Sequence, residues 1–361
     1  MARMQVNPRN GSATNSQPVS SSHNNSGGGN RGMAFQNACY IYPGAPATPD
    51  IAAPNVVFER GIYMDGSITM DDGKVVTVWG FTDLAAGAMG GGGNGMGNFP
   101  FPSPTMRLTE GQIAHTRLDV RDCMCQHTIH HHGIEPSWQN DGVGHISWDV
   151  DGVYTYQWRP HQAGSYFYHC HTNTVLHAEM GMYGALIVDP APNPNDPPGT
   201  KRVFAGGPAY NVEVAWVCDD IDSSWHTLTW AAGTCGQDEG FNDLEPDYFI
   251  ITGVDGAQSA LTAPGVAVQM TRGQTLLARY LNAGYSPQRI HFGGLTATVV
   301  ASDGRPFPRA FQATSLEATS AERYDCLFTP TRTGEYDIRV EFLNWQTEKV
   351  MGTAQTRVTV T

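Results

Sequence analysis

Charge is scarce in this sequence, and positive charge most of all. Only 15% of the 361 residues are charged, with 21 Lys and Arg against 34 Asp and Glu, a formal net charge of −13. Nucleic acid and anionic membrane surfaces would repel such a chain, so neither is expected as a partner. Long apolar runs are missing as well, which leaves no candidate membrane span. Residues 1–32 are short of apolar side chains altogether, with Asn10-Gly11-Ser12, Ser20-Ser21-Ser22 and Gly27-Gly28-Gly29. This tail reads as a disordered low-complexity segment. It carries Arg3 and Arg9 but lacks the apolar stretch that a secretory signal needs.

Long helical periodicity is also absent, and what takes its place is short runs rich in Val, Thr and Tyr, punctuated by 41 Gly and 23 Pro. That pattern is all-β. Strands are expected around Lys74–Phe81, Ile113–Val120, Val153–Trp158, Gly164–Tyr168 and Gly184–Val188. A second set follows around Val212–Val217, Tyr248–Ile251, Thr275–Leu281 and Tyr336–Val340. The proline-rich stretch Asp189 to Gly199 cannot lie inside a sheet. The length favours roughly two domains, and the division is placed there: residues 33–192, a linker at 193–199, and residues 200–361.

Seven cysteines are too few for a disulfide scaffold, but setting one aside for a metal leaves an even six. Cys218 could then pair with Cys235, and Cys39 with Cys123 or Cys125. Such pairing leans towards an extracytoplasmic compartment, which the sequence alone leaves open. Residues 87–97 read as a glycine loop whose Met89 and Met96 could pass the soft ion Cu(I).

The densest chemistry lies between His169 and Met182: one thiol (Cys170), three imidazoles (His169, His171, His177) and two thioethers (Met180, Met182) within fourteen residues. Two imidazoles and a thiolate with a weak axial thioether are the ligands that select a blue-copper site. A second cluster, His127-Thr128-Ile129-His130-His131-His132-Gly133, lies upstream. Alternate side chains of an extended strand face opposite ways. His169 and His171 should therefore share one face with Cys170 on the other, and His130 and His132 should share a face opposite to His127. Two back-to-back sets result. Cys170, His127, His177 and a methionine suit a mononuclear site, and His130, His132, His169 and His171 offer four imidazoles to further metal.

These segments resemble the multicopper oxidases of the laccase and ferroxidase superfamily. His169-Cys170-His171 resembles the family's last His-Cys-His segment, Thr128-Ile129-His130-His131-His132-Gly133 its His-x-His-Gly element, and Phe101-Pro102-Ser103-Pro104-Thr105-Met106-Arg107 its early proline-threonine strand. Asn140-Asp141-Gly142 stands where the family has an Asp-Gly turn. The resemblance implies two cupredoxin-like Greek-key domains, with a type 1 copper on His127, Cys170, His177 and the axial Met182. It further implies His130 on a type 2 copper, His132, His169 and His171 on the type 3 pair, and Asp141 as the acid that orients water and relays protons. Two departures stand out. His177 comes two residues later after Cys170 than is usual. The family's cluster takes eight histidines, whereas this chain offers four, its second half holding only His226 and His291.

The expected activity is thus a laccase-like oxidation of a small reducing substrate coupled to reduction of dioxygen. Another copy of the chain, in a dimer or trimer, would complete the cluster. A nitrite reductase-like trimer with a type 2 copper and a non-catalytic blue-copper carrier are the alternatives. Among the other histidines, His131 is expected to pack near the Cys170 site and His291 on its strand. His115, His161 and His226 are expected at the surface. His145 follows Asp141 closely enough to pass near the metals.

Overall fold

Alternation of apolar and polar residues builds the first sheets, as in Val75–Asp83, where Val76 and Val78 are buried and Val75 and Thr77 exposed. The computed structural model describes residues 53–85 and 99–361, apart from 122, 124, 145, 146, 235, 257 and 258. The tail and the glycine loop with Met89 and Met96 lie outside the described residues, as do Cys39, Cys235 and His145.

The first strands are β1 (Val56–Thr69), β2 (Val75–Asp83), β3 (Ser103–Thr109), β4 (Ala114–Asp119), β5 (His130–His132), β6 (Val153–Trp158) and β7 (Gly164–His169). A six-residue helix α1 (Thr174–Glu179) precedes β8 (Tyr183–Asp189). They form two four-stranded sheets, in the orders β2-β1-β4-β6 and β3-β8-β7-β5. The core between them includes Phe81, Met106, Leu118, Tyr154, Tyr156, Tyr168 and Leu186. Strand β1 carries a bulge between Tyr63 and Gly66.

Residues 212–360 form a seven-stranded and a five-stranded sheet. Trp216, Leu276, Tyr280, Ile290, Phe328 and Phe342 lie in their core. Strands β7 and β8 break the simple alternation, being buried along nearly their whole length. Their inner face joins the first core through Tyr166, Tyr168, Leu186 and Val188. Their outer face, with Phe167, Tyr183 and Ala185, packs on Val217 and Leu281 of the second half.

Polar contacts reinforce that seam. The buried guanidinium of Arg279 donates from Nε to Glu213 at 2.6 Å and from Nη1 to Ser165 Oγ of β7 at 3.0 Å. Arg107 of β3 donates to both Asp189 and Glu213. Tyr183 OH donates to the buried Asp219 at 2.5 Å.

The cysteines differ from expectation. Cys123 and Cys125 are bonded to each other, so neither can meet Cys39. Cys218 is a free buried thiol inside the second core, with Cys326 nearby, because its strand turns that side chain inward and away from any loop. No helix among the described residues is long and apolar enough to cross a membrane.

Candidate metal centre

Strand pairing brings the two histidine clusters together. Antiparallel pairing of β5 with β7 sets His130 opposite His169, His131 opposite Tyr168 and His132 opposite Phe167. His127 lies just before β5, bridged to Val150. Past the end of β7, the Cys170 N–H still donates to the Met182 carbonyl at 2.9 Å, so Cys170 keeps strand geometry.

On one side of this ladder the Cys170 Sγ lies 3.6 Å from His127 Nδ1 and 3.3 Å from His177 Nδ1. All three side chains are fully buried. His177 reaches the site from α1, whose turn takes up the long spacing after Cys170. Its Nε2–H donates to the Trp230 carbonyl at 2.9 Å, fixing the tautomer that leaves Nδ1 free. Burial holds His177 down to about 4. It also lowers His127, with His177 adding to the effect, so both rings are neutral, the form that binds metal. Burial pushes the Cys170 thiol up to about 11, so a cation is needed to hold it as a thiolate. One soft and two imidazole donors, all within 4.8 Å of one another, fit a single copper ion. Met180 and Met182 are buried in the same core as Cys170. Between them Gly181 has φ +102°, and a Cβ there would lie 2.2 Å from the Phe101 ring.

On the other side stand four imidazoles. The His130 ring centroid is 5.5, 5.3 and 5.5 Å from those of His132, His169 and His171. The ligating atoms of His130, His132 and His169 lie within 4.8 Å of one another. Backbone and hydroxyl partners orient three of the rings. His130 Nδ1–H donates to the Asp141 carbonyl at 2.7 Å, His169 Nδ1–H to the Cys170 carbonyl at 2.8 Å, and His171 Nδ1 lies 3.1 Å from Thr174 Oγ1. Each of these therefore keeps Nε2 for a metal. Burial above all pulls His132 down to about 3 and His169 well below the ordinary range, with neighbouring charges and imidazoles adding to it. This set also fits copper. It opens onto a cleft of about 730 Å³ walled by Asp141, Trp138, Arg305 and Arg323.

Asp141 meets His130 in two ways, its carboxylate Oδ1 lying 3.4 Å from Nδ1 in addition to the carbonyl contact. The turn that places it needs glycine next: Gly142 has φ +68°, and a Cβ there would sit 1.9 Å from the Ile129 carbonyl oxygen. Asn140 pins the turn by accepting the Gln157 N–H at 2.8 Å.

The remaining histidines divide. His131 is buried on Trp158, with Nε2 2.9 Å from Thr116 Oγ1. His226 is buried rather than at the surface, because the chain after Ile221 folds inward, setting the ring against the Thr77 carbonyl and 3.6 Å from Glu179. His161 is exposed and His115 half-buried. His291 pairs with Glu341 at 3.1 Å. Sequence reasoning missed α1, Trp230 and the surroundings of His127. Only the extra residues between Cys170 and His177 hinted at the helix.

Residues 94–193 match the multicopper oxidase family. The chain carries a multicopper oxidase domain. Copper resistance protein A of Pseudomonas syringae pv. tomato is 28% identical over 65% of this chain and 42% of that protein. The chain thus spans less than half the length of the curated relatives it matches. In fold, the chain with its multicopper oxidase domain is similar to a blue copper oxidase of Nitrosomonas europaea, with TM-score 0.64 and 22% identity over 84% of this chain and 86% of that one. A copper nitrite reductase of the same organism gives TM-score 0.61 and 16% identity, over 85% and 93%.

Proposed function

We propose that the protein is a laccase-like copper oxidase. A small reducing substrate gives single electrons at a type 1 site of His127, Cys170, His177 and Met182, and dioxygen is reduced at a cluster on His130, His132, His169 and His171. Copper bound at these two sets supplies the one-electron redox chemistry and the reduction of dioxygen. The observation that carries the reading is that Cys170 faces one donor set while its chain neighbours His169 and His171 face the other. We also infer a division into residues 33–192 and 200–361 about the linker 193–199.

The protein's part is geometry. Cys170 joins the two sets through its own backbone, and the His169 N–H bond to the Cys170 carbonyl adds a second, hydrogen-bonded link. The buried rings exclude water from the first set. Asp141 orients His130 through its carbonyl and holds its carboxylate where a proton can pass towards the open cleft.

Helix α1 exposes Val175 at the rim of a second cleft, of about 770 Å³, lined by Trp225, Phe241, Tyr285 and Trp345 and edged by Asp243 and Glu245. Val175 is two residues from His177, so an aromatic donor seated there would lie beside the first set, and the carboxylates would favour a cationic one.

Four histidines are half of what the family's cluster takes, and theirs is an open face. A second copy meeting it about a two-fold axis would supply the other four. The test combines three measurements on the copper-loaded full chain: native mass, copper per chain, and oxygen uptake with an aromatic amine or phenol. Roughly five coppers per two chains, one for each Cys170 set and three shared, together with uptake, are expected. A monomer with one copper and no uptake would overturn the reading, and turnover of nitrite without oxygen uptake would replace it with the reductase.

A further inference from the structure

His127 has two sulfur neighbourhoods. Its Nδ1 faces Cys170, while its Nε2 lies 3.2 Å from Cys125 Sγ and 3.9 Å from Cys123 Sγ. Both of those sulfurs are 3.4 Å from the thioether sulfur of Met64. Met64 belongs to the β1 bulge between Tyr63 and Gly66, and a bulge re-aims side chains that regular pairing would send elsewhere. Cys125 is buried, whereas Cys123 and Met64 are half-buried, so the group has an approach from solvent.

We propose that Met64, Cys123 and Cys125 form a second metal site, for one soft monovalent ion of the Cu(I) or Ag(I) type, available once the Cys123–Cys125 bond is reduced. Two thiolates and a thioether are the donors that select such an ion. The steps balance with a thiol reductant. Two RSH convert the disulfide into two thiols and leave as RSSR, and uptake of one M⁺ releases the thiol protons to solvent. No imidazole is required as a ligand.

His127 then links the site to the Cys170 set. With Nδ1 given to a metal, the neutral ring carries its remaining proton on Nε2, where Cys125 sulfur is the acceptor. For His177 the corresponding acceptor is the Trp230 carbonyl, whose charge is fixed. The sulfur acceptor changes charge between disulfide, thiol and metal thiolate, so the electron density on His127 changes with it. This linkage rests on the copper reading of the Cys170 set; the binding of the soft ion does not.

The test uses the copper-loaded full chain, reduced under anaerobic conditions and freed of reductant, with Ag(I) as the probe. Native mass spectrometry should show one Ag(I) more on the unaltered chain than on the double variant Cys123→Ser/Cys125→Ser. Peptide mapping after maleimide alkylation should show Cys123 and Cys125 protected by Ag(I), an assay that needs no variant and so survives a variant that fails to fold. Met64→Leu should weaken the protection while leaving the two thiols titratable. Equal alkylation of Cys123 and Cys125 with and without Ag(I) would overturn the site. After the Cys170 copper is returned to Cu(II) with ferricyanide while Ag(I) holds the two thiolates, a visible absorption band shifted from that of the Ag(I)-free chain supports the linkage through His127, and an unshifted band with Ag(I) still bound overturns it.

Discussion

Cys170 makes the strongest demand of any residue, because burial disfavours the charged form that a metal requires. Replacing it by serine removes the soft donor and keeps the shape. Copper-loaded Cys170→Ser should therefore lose its intense visible charge-transfer absorption and its oxidase activity, while copper bound by the histidine set persists by metal analysis and paramagnetic resonance. Gly142 works through backbone alone. Gly142→Ala would force a Cβ against the Ile129 carbonyl, at an expected cost of about 1–3 kcal/mol in chemical denaturation. It should also move the Asp141 carbonyl off His130. At this scale the gathering of His127, Cys170 and His177, and of His130, His132 and His169, was legible, since thiol, imidazole and thioether at strand spacing have few other uses. The disulfide between Cys123 and Cys125 was not, because nothing in a Cys-Met-Cys run separates two thiols that close on each other from two that pair with distant partners.

Strand positions were read from alternation, and β4, β6, β7 and β8 fall where it puts them. Helix α1 escaped because six residues are too few for a 3.6-residue period to show. It is held by tertiary contact rather than by propensity, through Leu176, which is fully buried in the first core. Leu176→Ala should destabilise the protein by about 2–5 kcal/mol. Because His177 sits one residue on, the same variant should weaken copper retention at the Cys170 set in a chelator challenge more than at the histidine set.

The whole molecule depends on a seam that the sequence did not announce. Arg279, Glu213 and Asp325 are scattered across the second half, and nothing in their neighbourhoods reveals that they converge on Ser165 of β7. Arg279→Ala would leave the buried Asp325 without its cation, while Glu213 keeps Arg107, at an expected cost of about 3–5 kcal/mol by thermal or denaturant unfolding. The small number of histidines was legible at this scale, being a count, and it led directly to the proposal of a second copy.

The double-sided burial of β7 and β8 means that the two central strands of the sheet that leads to Cys170 have no face of their own to give to water. Phe167, Tyr183 and Ala185 are as much a part of the interior as Tyr168 is, although the residues that cover them come from the half without copper ligands. That half covers the face next to the histidine set and lends Arg305 and Arg323 to its cleft. A minimal copper module cut at the proline-rich linker would carry every proposed ligand and still expose an oily patch beside its histidines, so the smallest useful electrode made from this protein is the whole of it.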